Sequence, residues 1–235
     1  MDVRIEMLGE TALLVHVGNG HANGCMDRQV NARVHMLAGA VRRANPDGLD
    51  EIVPAYASVL LRHRLATLEA ADALYRQVRE LARALPDRAD AGDGRLHRVA
   101  VCYGGEHGAD LVELAAARGL TPGEVVKRHT APEYLVAMTG FAPGFPYLIG
   151  LDPDLATPRR DTPRTRVPAG SVGIAGAQTG IYPGELPGGW QLIGRTPMSL
   201  FDVDHADHPC LLEPGDRVRF EAIDEDRFAH WEPSC

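Results

Sequence analysis

The stretch "GFAPGFPYLIGL", residues 140–151, sets three glycines and two prolines among two phenylalanines and a tyrosine, with no charge. Glycine and proline punctuate regular structure. Bulky aromatics placed between them belong either to a loop buried for packing or to a rigid aromatic wall that holds something. From residue 134 onward the short runs "YLVAMTGF", "SVGIAGAQTGIYP", "WQLIGRTP" and "DRVRFEAI" alternate with Gly/Pro turns. That is the pattern of a β-sandwich or barrel. Residues 141–199 hold nine of the 17 prolines, so the long connections have few backbone states to lose on folding. Rigid binding loops use proline in this way, and so do the tight corners of a small barrel.

Upstream the pattern changes. Residues 3–8 and 11–17 read as a hairpin around Gly9-Glu10. A helix is expected to begin between Asn23 and Asp27, with Val30, Val34, Leu37, Ala38 and Val41 on one face. Residues 49–63 read as strand interrupted by Pro54. Thr67 is the expected N-cap of a second helix with Leu68, Ala71, Tyr75, Val78, Leu81 and Leu85 along its apolar stripe. Two hairpin-like segments, each followed by a helix, make an α+β unit. The polar segment 86–95, "PDRADAGDGR", is the expected linker, which divides the chain into domains at 1–90 and 95–235. Beyond it come a strand at 96–103, a helix ending at Gly119, and a helix opened by the capping box Thr121-Pro122-Gly123-Glu124.

Composition narrows the function. A formal net charge of −8 argues against a nucleic-acid surface, which needs a basic field. No apolar run approaches a bilayer span and no signal-peptide core opens the chain, so a cytoplasmic protein is expected, with Cys25, Cys102, Cys210 and Cys235 as reduced thiols. Lys127 is the sole lysine and precedes Arg128, so a Walker A phosphate loop is absent. The "DVDHADH" stretch, 202–208, matches no metal-ligand spacing and is expected to be a solvated turn. Ser171, in "AGSVG", lacks the setting of a nucleophile elbow.

Four arginines, Arg159, Arg160, Arg164 and Arg166, fall within eight residues beside the aromatic loop. A guanidinium fork recognises carboxylate or phosphate. Pairing with Asp154 and Asp161 is the ordinary alternative. The prolines at 163 and 168 restrict Arg164 and Arg166 most. His129, near the end of the capped helix, is a candidate general acid or base, or simply a favourable residue at a helix C-terminus.

The run "GFAPGFPYLIGLDPDLATPRRDTPRTRVPAGSVGIAGAQTGIYPGELPGGWQLIGRTP", followed by "EPGDRVRF", closely resembles the signature of the family of bacterial 5-oxoprolinase B subunits. That family includes the sporulation kinase inhibitor KipI and proteins labelled allophanate hydrolase subunit 1. The likeness extends through "CYGGEHGADL" and "VVKRHTAPEYLV" and more loosely into "GETALLV". The resemblance implies an α+β chain: a small ferredoxin-like N-terminal domain followed by a cyclophilin-like β-barrel domain.

By the same resemblance the chain is one component of an ATP-dependent enzyme that opens 5-oxo-L-proline to L-glutamate with A and C partner subunits. It would be inactive alone and bind no cofactor itself. A KipI-like inhibitor that docks on a histidine kinase is the alternative, as is a component acting on urea- or allophanate-type amides. The "GGSSGG"-like run of amidase-signature hydrolases is absent. The expected site combines an aromatic wall of Phe141, Phe145 and Tyr147 with Arg164 or Arg166 for a carboxylate. Gln178, Thr179 and Tyr182 would address a lactam or carbamoyl group, Arg195 is a further candidate for positioning a substrate amide or carboxylate, and His129 is the catalytic candidate. The aromatic wall could equally be the interface with a partner.

Overall fold

The computed structural model describes residues 3–18, 27–86, 94–205 and 208–232. The chain divides into two compact units, at Met1–Asp93 and Gly94–Cys235. Of the expected linker, residues 87–93 lie outside the described residues, as do Asn23, Cys25 and Cys235.

In the N-terminal unit, β1 (Val3–Met7) and β2 (Ala12–Val17) form the hairpin, α1 spans Arg28–Ala44, β3 (Leu49–Pro54) and β4 (Ser58–His63) form a second hairpin, and α2 spans Leu68–Ala84. All pairings are antiparallel, and the strand order is β1-β2-β4-β3. Local chemistry sets the helix starts. Asp27 accepts from the Gln29 N–H at 2.7 Å, and Thr67 Oγ1 accepts from Ala70 N–H at 3.2 Å. Each satisfies one of the donors a helix N-terminus leaves open. Alternation along the strands buries Leu13, Val15, Val17, Val59 and Leu61 against Val34, Leu37, Val41, Leu74 and Val78 of the helices. Such side chains each contribute about 1.5–3 kcal/mol on burial.

One position departs from the expected stripe. Leu68 is 78% exposed, and Leu74 takes a core place instead. Leu68 is the first helical residue, and the steps 71, 74, 78 and 82 keep closer to the 3.6-residue period than a stripe drawn from 68.

The C-terminal unit begins with β5 (Leu96–Tyr103), α3 (Leu111–Arg118) and α4 (Pro122–Thr130). Then follow β6 (Tyr134–Thr139), β7 (Pro146–Ile149), β8 (Arg164–Val167), β9 (Ser171–Ala175) and β10 (Gln178–Ile181). The last elements are β11 (Leu186–Gly188), β12 (Gln191–Arg195), β13 (Arg217–Ile223) and α5 (Glu225–Ala229). Seven strands close a barrel in the order β10-β7-β6-β13-β5-β12-β9, while β8 and β11 form a separate two-stranded ribbon. The strand pattern left sandwich and barrel open; the barrel is what forms.

Closure depends on β13 lying parallel to β5, with Arg217 to Ile223 opposite Leu96 to Cys102. Val99, Val101, Tyr134, Val136, Leu148, Ile174, Ile193 and Phe220 fill the interior. The capping box on α4 is present in both directions. Glu124 N–H donates to Thr121 Oγ1 at 3.2 Å, and Thr121 N–H donates to the Glu124 carboxylate at 2.7 Å. The donated N–H holds the Glu124 carboxyl below its usual range. Among the described residues no helix is long and apolar enough to cross a membrane. Cys102 and Cys210 are free thiols.

Candidate functional site

The 140–145 segment turns the chain between β6 and β7 on its own hydrogen bonds. Ala142 N–H donates to the Gly140 carbonyl at 2.8 Å, and Phe145 N–H donates to the Ala142 carbonyl at 3.1 Å. Phe141 takes φ +68° in this turn, a conformation a bulky residue adopts only when its surroundings impose it. The residue stays 61% exposed. It meets Phe145 edge-on at 5.4 Å and Tyr182 edge-on at 6.5 Å.

Behind it lies a continuous aromatic group. Phe145 contacts Tyr147 at 4.9 Å, Tyr182 at 5.3 Å and Trp190 at 5.5 Å between ring centroids. Phe145, Tyr182 and Trp190 are buried, and Tyr147 is half-buried. Edge-to-face pairs of this kind add to the area they bury. Two glycines make room for it. A Cβ at Gly180 would stand 2.8 Å from the Pro146 carbonyl oxygen, and one at Gly188 would stand 2.2 Å from the Tyr182 hydroxyl.

The four arginines divide by what they touch. Asp110 is buried and accepts four hydrogen bonds. They come from Arg160 Nη1 at 2.8 Å, from Arg164 Nη1 at 2.9 Å and Nη2 at 2.7 Å, and from Leu192 N–H at 2.7 Å. A carboxylate satisfied on every side in this way can remain charged inside a protein. Arg166 is 76% exposed and pairs with Glu185 at 2.6 Å. Arg195, outside that cluster, donates from Nε to the Ala169 carbonyl at 2.8 Å, and its guanidinium lies 5.9 Å from the Phe228 ring centre.

Arg159 is exposed and, among the described residues, makes no hydrogen bond or ion pair. Its charge acts on the Tyr147 and Tyr182 phenols, where it works against the burial that raises both above the usual phenol range. A hydrogen bond from the Trp190 backbone also works against that rise at Tyr182.

His129 lies in a different place, fully buried in the barrel unit. Its Nδ1 is 2.8 Å from the Tyr103 hydroxyl, and its Nε2 is 3.0 Å from Thr179 Oγ1. Thr179 Oγ1 donates its one proton to the Gly173 carbonyl at 3.0 Å. The Thr179 oxygen must therefore accept from His129 Nε2–H, which leaves Nδ1 to accept from Tyr103. Phe220 and Tyr134 stack around the ring at 4.5 and 5.5 Å. Burial drives the imidazole pKa down to about 3, so the ring is neutral. Gln178 stands opposite Ala175 at the β9–β10 turn.

The structure thus gathers Phe141, Phe145, Tyr147 and Tyr182 into one group. Thr179 joins His129 in the barrel interior, and Arg164 is held on Asp110. Sequence reasoning did not include Trp190, which touches three of the aromatic residues, or Asp110, which organises two of the arginines. A tryptophan after Gly188-Gly189, where backbones approach closely, is a signal that could have pointed to the first. Asp110 carried no local signal, since it makes no side-chain cap on α3.

A separate open cleft of about 590 Å³ lies against α4, with Glu124, Lys127, Arg128 and Asp152 in its lining. Arg128 is committed there to Asp152 at 3.2 Å and Asp154 at 2.6 Å. Among the described residues no cluster of histidine, cysteine and acidic side chains could hold a metal ion.

Residues 3–212 match the family model described as carboxyltransferase domain, subdomain C and D. The chain is 39% identical to the B subunit of 5-oxoprolinase from Bacillus subtilis over 241 residues, which cover 98% of each protein. It is 57% identical to the B subunit of 5-oxoprolinase from Haemophilus influenzae over 127 residues, covering 54% of this chain and 59% of that one. Among solved structures, TTHA0988 superposes with a TM-score of 0.76 at 37% identity over 95% of this chain. The match occupies 40% of the TTHA0988 chain.

Proposed function

The chain belongs to the carboxyltransferase subdomain C and D family, with a 5-oxoprolinase B subunit among its full-length relatives; on that premise we propose that it is the B subunit of an ATP-dependent 5-oxoprolinase. The observation that carries this reading is the Bacillus subtilis relationship, which runs through 98% of both chains and not through one domain alone. The partners are A and C subunits, and the enzyme works in the cytoplasm, where ATP is available. This chain has no G-K-[ST] phosphate loop, so the nucleotide belongs to another subunit or to a site shared with one.

The reaction adds water across the lactam C–N bond of 5-oxo-L-proline. The oxygen ends in a new side-chain carboxylate and the protons on the freed amine, with ATP hydrolysis driving an otherwise unfavourable opening. The contribution of this chain is to bind and orient. A ring with two methylene groups and one carboxylate suits a face with an apolar body and a few polar edges, which Phe141 and Tyr147 supply. Phe145, Tyr182 and Trp190 support that face from behind. His129 keeps a positioning part: through Thr179 it ties β10, and with it Gln178, to α4.

The architecture belongs to the same proposal, with domain bounds near 1–90 and 95–235. The N-terminal unit is read as ferredoxin-like, supported by its ββαββα order and its β1-β2-β4-β3 sheet. Moving β1 to the end of the chain yields the βαββαβ arrangement of that fold. The barrel is read as cyclophilin-like in fold, with no isomerase activity implied.

The test is a coupled ADP assay on purified A and C subunits with and without this chain. The expected result is that 5-oxo-L-proline stimulates ATP hydrolysis only when all three proteins are present and co-purify. Equal stimulation by A and C alone would remove this chain from the reaction.

A further inference from the structure

The 5-oxoprolinase reading leaves open which cation receives the substrate carboxylate. The arginines singled out for it by the sequence are already engaged. Arg164 holds buried Asp110 through both terminal nitrogens, and a ligand that drew it away would strand that carboxylate. Arg166 is paired with Glu185 on the exposed ribbon. Arg160 shares Asp110, and Arg195 reaches the Ala169 carbonyl. Of these five guanidiniums only Arg159 has no hydrogen bond or ion pair among the described residues.

Its location is fixed although its head group is free. The preceding Pro158 carbonyl accepts from Gln191 Nε2 at 3.0 Å, and the following Arg160 N–H donates to the Gly189 carbonyl at 2.8 Å. The Arg159 backbone is therefore clamped on both sides to the residues that flank Trp190. Trp190 packs on Phe145, Tyr147 and Tyr182 at centroid distances of 5.5, 6.0 and 6.5 Å. A pinned backbone next to the aromatic group, carrying an exposed and uncommitted guanidinium, is the arrangement that bidentate carboxylate recognition requires.

We propose that Arg159 is the residue that holds the carboxylate of the substrate, with the ring of the lactam laid against Phe141 and Tyr147. This rests on the 5-oxoprolinase reading. It assigns Arg160 and Arg164 a different task, that of fixing the segment on Asp110 so that Arg159 is presented.

The experiment uses the assembled three-subunit complex. It measures KM for 5-oxo-L-proline and the inhibition constant of 2-pyrrolidinone, the same lactam without its carboxylate, in wild type, Arg159→Gln and Arg159→Lys. Losing a charge-assisted fork should raise KM about 10- to 150-fold in Arg159→Gln. Arg159→Lys, which keeps the charge but not the fork, should recover part of the loss. The 2-pyrrolidinone constant should be the same in all three. Arg98→Gln, which removes another exposed cation, should leave KM unchanged.

A KM in Arg159→Gln within twofold of wild type overturns the assignment and leaves the enzyme reading intact. Equal weakening of substrate and 2-pyrrolidinone also overturns it, because the loss would then concern the shape of the site. A wild-type complex that assembles and opens no 5-oxo-L-proline removes the enzyme reading and this inference with it.

Discussion

Lowering the pH should weaken the C-terminal unit through one side chain, His129. In the folded chain burial holds its imidazole at about 3 instead of the ordinary 6.5. Protonation is therefore far easier after unfolding. The stabilisation is fully present above the unfolded pKa and is lost as pH falls through 6.5 toward 3. One pKa unit is worth about 1.4 kcal/mol, so about 2 kcal/mol disappears by about pH 5, with a ceiling near 5 kcal/mol at about pH 3.

The two tryptophans, Trp190 and Trp231, both lie in this unit, which makes fluorescence a local probe. Urea unfolding of wild type and His129→Gln at about pH 8 and about pH 5 isolates the effect. The variant is expected to be less stable at about pH 8, since it loses the Tyr103 and Thr179 contacts. Its further loss on acidification should be smaller than that of wild type by about 2 kcal/mol. Identical pH losses in the two proteins would refute the buried neutral imidazole.

Asp110→Ala should leave Arg160 and Arg164 without their shared carboxylate and cost about 3 kcal/mol or more. Limited proteolysis should then cut between residues 158 and 167 in the variant and spare that segment in wild type. Gly188→Ala drives a methyl group into the Tyr182 hydroxyl and should destabilise by about 1–3 kcal/mol, read by the same unfolding curves. Arg166→Gln, which removes an exposed ion pair, should change stability by less than about 1 kcal/mol.

What the sequence disclosed follows from the range of the interactions involved. Asp27, Thr67 and Thr121 cap their helices through bonds that span two or three residues, and spacing alone reveals such contacts. Alternation likewise placed both N-terminal hairpins and most of the barrel strands. The closure of the barrel was less legible, because β5 and β13 pair across more than a hundred residues of chain. Nothing local in "LHRVAVCY" or "DRVRFEAI" states which strand lies beside it or in which direction.

The site shows the same division. Proline and glycine spacing exposed the aromatic loop and the arginine cluster as unusual. The partner that holds Arg164 lies 54 residues away, so an arginine committed to the fold looked the same as one available to a ligand. His129 was conspicuous at the end of a capped helix. The turn of α4 that carries it inward, against Tyr103 and Thr179, comes from tertiary packing.

Membership of this chain in a 5-oxoprolinase is tested by glutamate release from 5-oxo-L-proline and ATP by A and C subunits with the chain added or withheld. Release that appears only with the chain, and stops when ATP is omitted, is the predicted result. Release at the same rate without the chain, or none from an assembled three-protein complex, would contradict the B-subunit assignment.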